Sequence, residues 1–159
     1  MTNPVTSYET GMQRLLDYLG PTHPATALSL NNLGSLLQAM GDLAAARPYY
    51  ERALAISEQV LGPTHPDTAL SLNNLGGLLH AMGELAAARP YYERALAIWE
   101  QVLGPTHPAT ALSLNNLGAL LHDQGEPAVA RPLYERALAI REQVLGPTHP
   151  DTATSLNNL

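Results

Sequence analysis

The chain has 159 residues, 45% of them hydrophobic, and a formal net charge of −6. Cysteine, phenylalanine and lysine are absent, which excludes a disulfide scaffold, a cysteine nucleophile and every thiolate metal site. The acidic balance argues against nucleic acid as the main partner, because phosphate binding needs a concentrated basic face. In chain order, Met1 to Glu9 is polar and lacks the pattern of a signal peptide. No apolar run reaches the roughly 18 residues that cross a bilayer, so a cytoplasmic location is expected, without membrane contact.

From Leu19 onward the chain repeats itself. Leu-Gly-Pro-Thr-His-Pro begins at Leu19, Leu61, Leu103 and Leu145, at a spacing of 42 residues. The expected organisation is a partial repeat over 1–18 (a second helix only), full repeats over 19–60, 61–102 and 103–144, and a truncated repeat over 145–159. All three full units carry the same residue at 32 of 42 positions. Tyr8-Glu9 in the leading piece matches Tyr50-Glu51.

Each unit reads as two helices. The first begins near Pro24, with Thr22 or His23 as its cap. Leu30, Leu33, Leu36, Leu37 and Met40 form its apolar stripe, and Gly41 ends it. Asp42, replaced by Glu84 and Glu126 later, opens the second helix at the favourable end of the dipole. One stripe there is Ala46, Tyr50, Ala53 and Leu54; another is Tyr49, Ala53, Ile56 and Val60. Apolar cover over so wide an arc needs partners on two sides. Gly62-Pro63 closes the unit, and Pro48, Pro90 and Pro132 predict a kink in each second helix. No strand signal is present. Hairpins of this kind bury their stripes only by stacking, which gives an all-α solenoid.

These residues resemble a tetratricopeptide repeat. Leu33-Gly34, Leu37, Ala46, Tyr50 and Ala53 match the family's alternation of small and large residues. The 42-residue length, Leu-Asn-Asn-Leu in helix one and the tail ending in Leu-Gly-Pro-Thr-His-Pro are similar to kinesin light chain repeats. The resemblance implies a right-handed superhelix whose first helices line a concave groove, a non-enzymatic role in protein–protein interaction, and no cofactor.

The face of helix one opposite its stripe holds the candidate peptide-binding residues. They are Asn31, Asn32, Ser35 and Gln38 in the first unit, and Asn73, Asn74, Gly77 and His80 in the second. In the third they are Asn115, Asn116, Ala119, His122 and Asp123, with Asn158 in the trailing copy. Paired asparagines in mid-helix cost about 0.5 kcal/mol each against alanine, so their recurrence wants a reason. An amide offers both donor and acceptor, and a ladder of amides suits the backbone of an extended peptide. The resemblance implies peptide contact for the second asparagine of each pair: Asn32, Asn74, Asn116 and Asn158. The competing account has the amides bonding neighbouring helices to fix the stacking. Of the ten positions that differ among units, three lie on this face. Trp99, which stands where the sister units carry Ser57 and Arg141, reads either as an exposed anchor or as a filler between repeats.

Reaction chemistry is not expected. His23, His65, His107 and His149 each lie one repeat apart at a helix start, too far from one another for a metal ion, and read as loop residues beside a cap. Arg47–Glu51, Arg89–Glu93 and Arg131–Glu135 read as solvated pairs at four-residue spacing. The leading expectation is therefore a scaffold that holds an extended segment of a partner protein. The alternative is a spacer that associates head to tail.

Overall fold

The computed structural model describes residues 4–159, with side chains from Thr10 onward other than Met12 and Leu15. The match of Tyr8-Glu9 to Tyr50-Glu51 therefore lies outside the described side chains. Eight helices follow in order: α1 (Pro4–Leu19), α2 (Pro24–Ala39), α3 (Leu43–Val60), α4 (Pro66–Ala81), α5 (Leu85–Val102), α6 (Pro108–Asp123), α7 (Pro127–Leu145) and α8 (Pro150–Asn157). Helices α2 and α3, α4 and α5, and α6 and α7 pack as pairs. Each pair leans on the next through α3–α4 and α5–α6, and α2, α4 and α6 also touch in succession. This is the α-solenoid that stacking demands, and no strand occurs among the described residues.

The start of every first helix is built by the same short-range bonds. The histidine is itself the cap: Nδ1 of His23, His65 and His107 accepts the N–H two residues on at 3.1 Å, and His149 does so at 3.2 Å. Three residues further, the hydroxyls of Thr26, Thr68, Thr110 and Thr152 donate back to the carbonyls of Gly20, Gly62, Gly104 and Gly146 at 2.8–3.1 Å. The turn before the helix is thereby closed from within, and Gly62 enters it at φ +98°, where a side chain is strained.

Second helices are capped differently along the stack. Asp42 accepts the Ala45 N–H at 3.1 Å, whereas Glu84 and Glu126 make no cap bond. Each glutamate instead reaches back to the preceding repeat, Glu84 to Arg47 and Glu126 to Arg89, both at 3.1 Å. The longer side chain exchanges a local bond for one that ties repeats together. The expected pairs of Arg47, Arg89 and Arg131 with the glutamate four residues on are also present, at 2.8–2.9 Å.

Pro48, Pro90 and Pro132 lie within continuous helices. Pro48 is exposed, as is Ala44, whose carbonyl loses its helical donor, so water can satisfy that group. The second stripe stops a turn earlier than its spacing predicts: Val60, Val102 and Val144 are 42–47% exposed.

Glycine decides how closely the two helices of a pair approach. A Cβ on Gly34, Gly76 or Gly118 would lie 2.9, 3.1 or 2.8 Å from the ring of Tyr50, Tyr92 or Tyr134. The Leu-Gly dipeptide of helix one is thus the seat of a buried tyrosine. Around it Leu30, Leu72 and Leu114 are fully buried, as are Ala53, Ala95 and Ala137. Each such leucine contributes roughly 1.5–3 kcal/mol.

Candidate functional site

The first helices α2, α4, α6 and α8 place their asparagine pairs one above another, and the two members of a pair have different surroundings. Asn31 and Asn73 are buried, at 5% and 8% exposure, and Asn115 is half-buried. Asn74, Asn116 and Asn158 are half-buried, and Asn32 is exposed. Asn116 Nδ2 donates to Asn73 Oδ1 at 3.0 Å, and Asn158 Nδ2 donates to Asn115 Oδ1 at 2.8 Å. The second asparagine of one repeat therefore bonds the first asparagine of the repeat before. Among the described residues, one donor and the acceptor oxygen of Asn116 and Asn158 have no partner, and the amides of Asn32 and Asn74 make no side-chain bond.

The lowest rung differs. Asn31 turns its Nδ2 to Ser71 Oγ at 2.9 Å, and its Oδ1 is buried without a partner. Ser71 Oγ also lies 3.3 Å from Ser57 Oγ. Asn74, which stands where Asn116 and Asn158 stand, does not join Asn31.

One helical turn further along, polar side chains cover the buried tyrosines. Tyr50 donates its hydroxyl to Gln38 Oε1 at 3.1 Å. His80 meets the Tyr92 ring edge-on, with centroids 6.4 Å apart. Burial pushes the Tyr92 hydroxyl up to about 12, so it stays a neutral donor. Asp123 joins residues that the sequence leaves far apart: Oδ2 is 2.8 Å from His80 Nε2, and Oδ1 is 3.4 Å from His122 Nδ1. The His80 hydrogen bond holds the Asp123 carboxyl below the usual carboxylate range. Gly77 and Ala119 are half-buried at the place where Ser35 is exposed; a Cβ on Gly77 would lie 3.3 Å from the Tyr92 hydroxyl.

Sequence spacing pairs Asp123 with its neighbour His122; the stack adds His80 from the preceding repeat. Trp99 is the filler of its two readings. It is 4% exposed, and its indole Nε1 donates to the Pro66 carbonyl at 3.3 Å. Arg141 at the same position is 9% exposed and donates to the Asp151 carbonyl at 3.0 Å and to Ser155 Oγ at 2.7 Å. Ser71, Ser113 and Ser155 are fully buried. Sequence reasoning passed them over, although their recurrence beside an apolar stripe was a signal.

The arrangement offers neutral donors and acceptors in a repeating row, with one carboxylate between two imidazoles at its side. It is suited to holding a polar chain. No described helix is long and apolar enough to cross a membrane.

The chain shares this architecture with known proteins. It resembles BtubC (BKLC) of P. vanneervenii at 27% identity and a TM-score of 0.80, over 92% of this chain and 58% of that one. The chain thus spans little more than half of that protein. The putative kinesin light chain of Podosopora anserina, with nearly identical TPR-like repeats, matches at 26% identity and a TM-score of 0.82, over 98% and 73% of the two chains. The TPR domain of Arabidopsis FLU shares the fold at 18% identity and a TM-score of 0.65, over 74% and 95%. No curated protein sequence matches the chain. The tetratricopeptide repeat model matches residues 5–59, 26–95, 70–143 and 115–159. With repeats matched along nearly its whole length, the chain belongs to the tetratricopeptide repeat family, whose members generally serve as protein–protein interaction modules.

Proposed function

We propose that the row of first helices holds an extended segment of a partner protein, with Asn32, Asn74, Asn116 and Asn158 as its main-chain contacts. The observation that carries this reading is the state of the second asparagines. Where the ladder forms, one N–H is bonded to the preceding repeat, which fixes the amide plane while leaving a donor and an acceptor. A fixed amide binds at lower entropic cost than a mobile one. The first asparagines Asn73 and Asn115 act as the support of the row, while Asn31 bonds Ser71 instead. Ser35, Gln38, Gly77, His80, Ala119, His122 and Asp123 vary from unit to unit and supply selectivity along it.

The test is to change Asn32, Asn74 and Asn116 together to alanine and measure the affinity for a partner captured by pull-down. A loss of about tenfold or more is expected with helicity intact, since each lost amide contact is worth about 0.5–1.5 kcal/mol. Unchanged affinity sinks the reading. Head-to-tail association of copies is a second reading, favoured by Leu156 and Leu159, which are 51% and 54% exposed on one end of the stack. Sedimentation over a wide concentration range decides it, because a strict monomer excludes it for this chain.

A further inference from the structure

Between α2, the end of α3 and the start of α4 lies an open cavity of about 230 Å³. Leu28, Leu61 and Leu70 supply apolar walls, and Asn31, Ser57 and Asp67 supply polar ones. An engineered apolar cavity of about 150 Å³ already accepts a benzene molecule, so a large side chain has room here. The two following interfaces show what normally occupies this place. Trp99 and Arg141 stand 42 and 84 residues after Ser57, and both are buried against the next repeat.

A second position varies with the first. The residue ten positions on, in the next repeat, is Ala109 after Trp99, and after Arg141 it is Asp151, whose carbonyl accepts from Arg141. At the cavity that residue is Asp67, so this interface carries the residue type whose carbonyl accepts from Arg141, together with a serine too short to reach it. Around the cavity the Asp67 carboxylate and the Asn31 Oδ1 without a partner are acceptors, and the Ser57 hydroxyl can donate or accept; Ser71 lies buried behind it, its Oγ 3.3 Å from Ser57 Oγ. The ion contact of Asp67 among the described residues is its own capping His65, at 3.8 Å.

We propose that this cavity binds the guanidinium of an arginine side chain from a partner protein. The arginine takes the place that Arg141 fills in the third interface, donating to the Asp67 carbonyl and Ser71 Oγ as Arg141 donates to Asp151 and Ser155. Its aliphatic stem lies along Leu28, Leu61 and Leu70, and the Asp67 carboxylate matches its charge. Binding also explains the lowest rung. Ser71 now takes the Nδ2 of Asn31; once the guanidinium claims Ser71, the Asn31 amide is released to accept from Asn74. That is the arrangement at both interfaces where Trp99 or Arg141 is in place. An indole is the less fitting occupant, because the chain pairs Trp99 with alanine.

The inference rests on the groove reading above by naming a side chain of the bound segment. It is tested by titrating acetyl-Gly-Arg-Gly-amide into the full chain and following side-chain amide signals by NMR. Saturable shifts at Asn31 and Asn74 are expected. A citrulline peptide should bind about tenfold more weakly, the scale of one charged hydrogen bond; Asp67→Ala, which keeps the backbone carbonyl and removes the matching charge, should weaken binding several-fold, and Ser57→Arg should abolish it. All of these substitutions place residues that sister repeats already carry; should Ser57→Arg lose helicity, Asp67→Ala and the citrulline peptide still decide. No saturable shift at millimolar peptide, equal binding of citrulline, or binding of a tryptophan peptide in its place overturns the proposal. If it falls while the triple asparagine variant still loses its partner, the groove reading stands without the arginine pocket.

Discussion

The interface between α3 and α4 and the interface between α5 and α6 use nearly the same residues and differ in how they are filled. In the first, Ser57 leaves a cavity, Asn31 turns aside to Ser71, and the amide ladder is broken. In the second, Trp99 fills the space, Ser113 Oγ has no bonded partner, and Asn116 joins Asn73. The side chain at the end of the second helix and the bonding of the first-helix amide in the groove thus change together. In a solenoid each interface adds its own increment to stability, so such differences can be measured one interface at a time.

The strongest way to erase the contrast is Trp99→Ser, which gives the second interface the residue of the first. It should cost roughly 3–5 kcal/mol, as for other aromatic truncations in a core. Denaturant midpoints measure the loss, and hydrogen exchange should show it concentrated in α5 and α6. If exchange rises equally in α2 and α3, the interfaces are not separable.

Gly118→Ala comes next. The added methyl meets the Tyr134 ring at 2.8 Å, and overpacking of this kind costs about 1–3 kcal/mol. Gly77→Ala is its control: the added Cβ lies 3.3 Å from the Tyr92 hydroxyl, and the sister repeat carries Ala119. It should be neutral, or stabilising by up to about 1 kcal/mol through helix propensity. Thermal melts of the two variants should move in opposite directions or differ plainly in size.

The two ends of the ladder can be separated by truncating each first asparagine. Asn73→Ala removes the acceptor of Asn116 and should cost about 1–2 kcal/mol. Asn31→Ala also deletes an oxygen that has no partner, so its cost should be smaller by about 1 kcal/mol. Equal losses would show that both rungs are bonded alike in solution.

The smallest effect is electrostatic. The Asp123 carboxyl is held below its unfolded value of 3.8 by His80, so the contact stabilises the fold above that pH. Its contribution disappears as pH falls from 3.8 through the depressed folded value. Asp123 is more than half exposed, so the contribution should stay below about 1 kcal/mol. Asp123→Ala, the residue at the same place in the two preceding units, should flatten acid unfolding curves in that range and lower stability above it by less than about 1 kcal/mol.

Much of this was legible in the chain. The 42-residue period, the Leu-Gly seat for a tyrosine and the Gly-Pro breaks specify helix pairs that stack, because local propensity and apolar spacing all favour that outcome. Proline at the first helical position and histidine before it mark every first helix, although that histidine serves as the cap only through the aim of its Nδ1 at a backbone N–H. Other features needed a neighbour in space. Glu84 reads as a helix cap until Arg47 of the previous repeat draws it away, and Asp123 reads as a partner of His122 until His80 arrives from α4. Residues 42 apart share an environment in sequence terms, yet they meet only when the superhelix sets one repeat on the next.

The sequence by itself determined the architecture and the row of paired asparagines, since both follow from a period and from residue types. Tertiary structure alone decided which asparagine is buried, which amide bonds which, and where a missing side chain leaves a cavity. Hydrogen bonds and packing act over a few ångströms between residues about forty positions apart, and no local pattern along the chain records that distance.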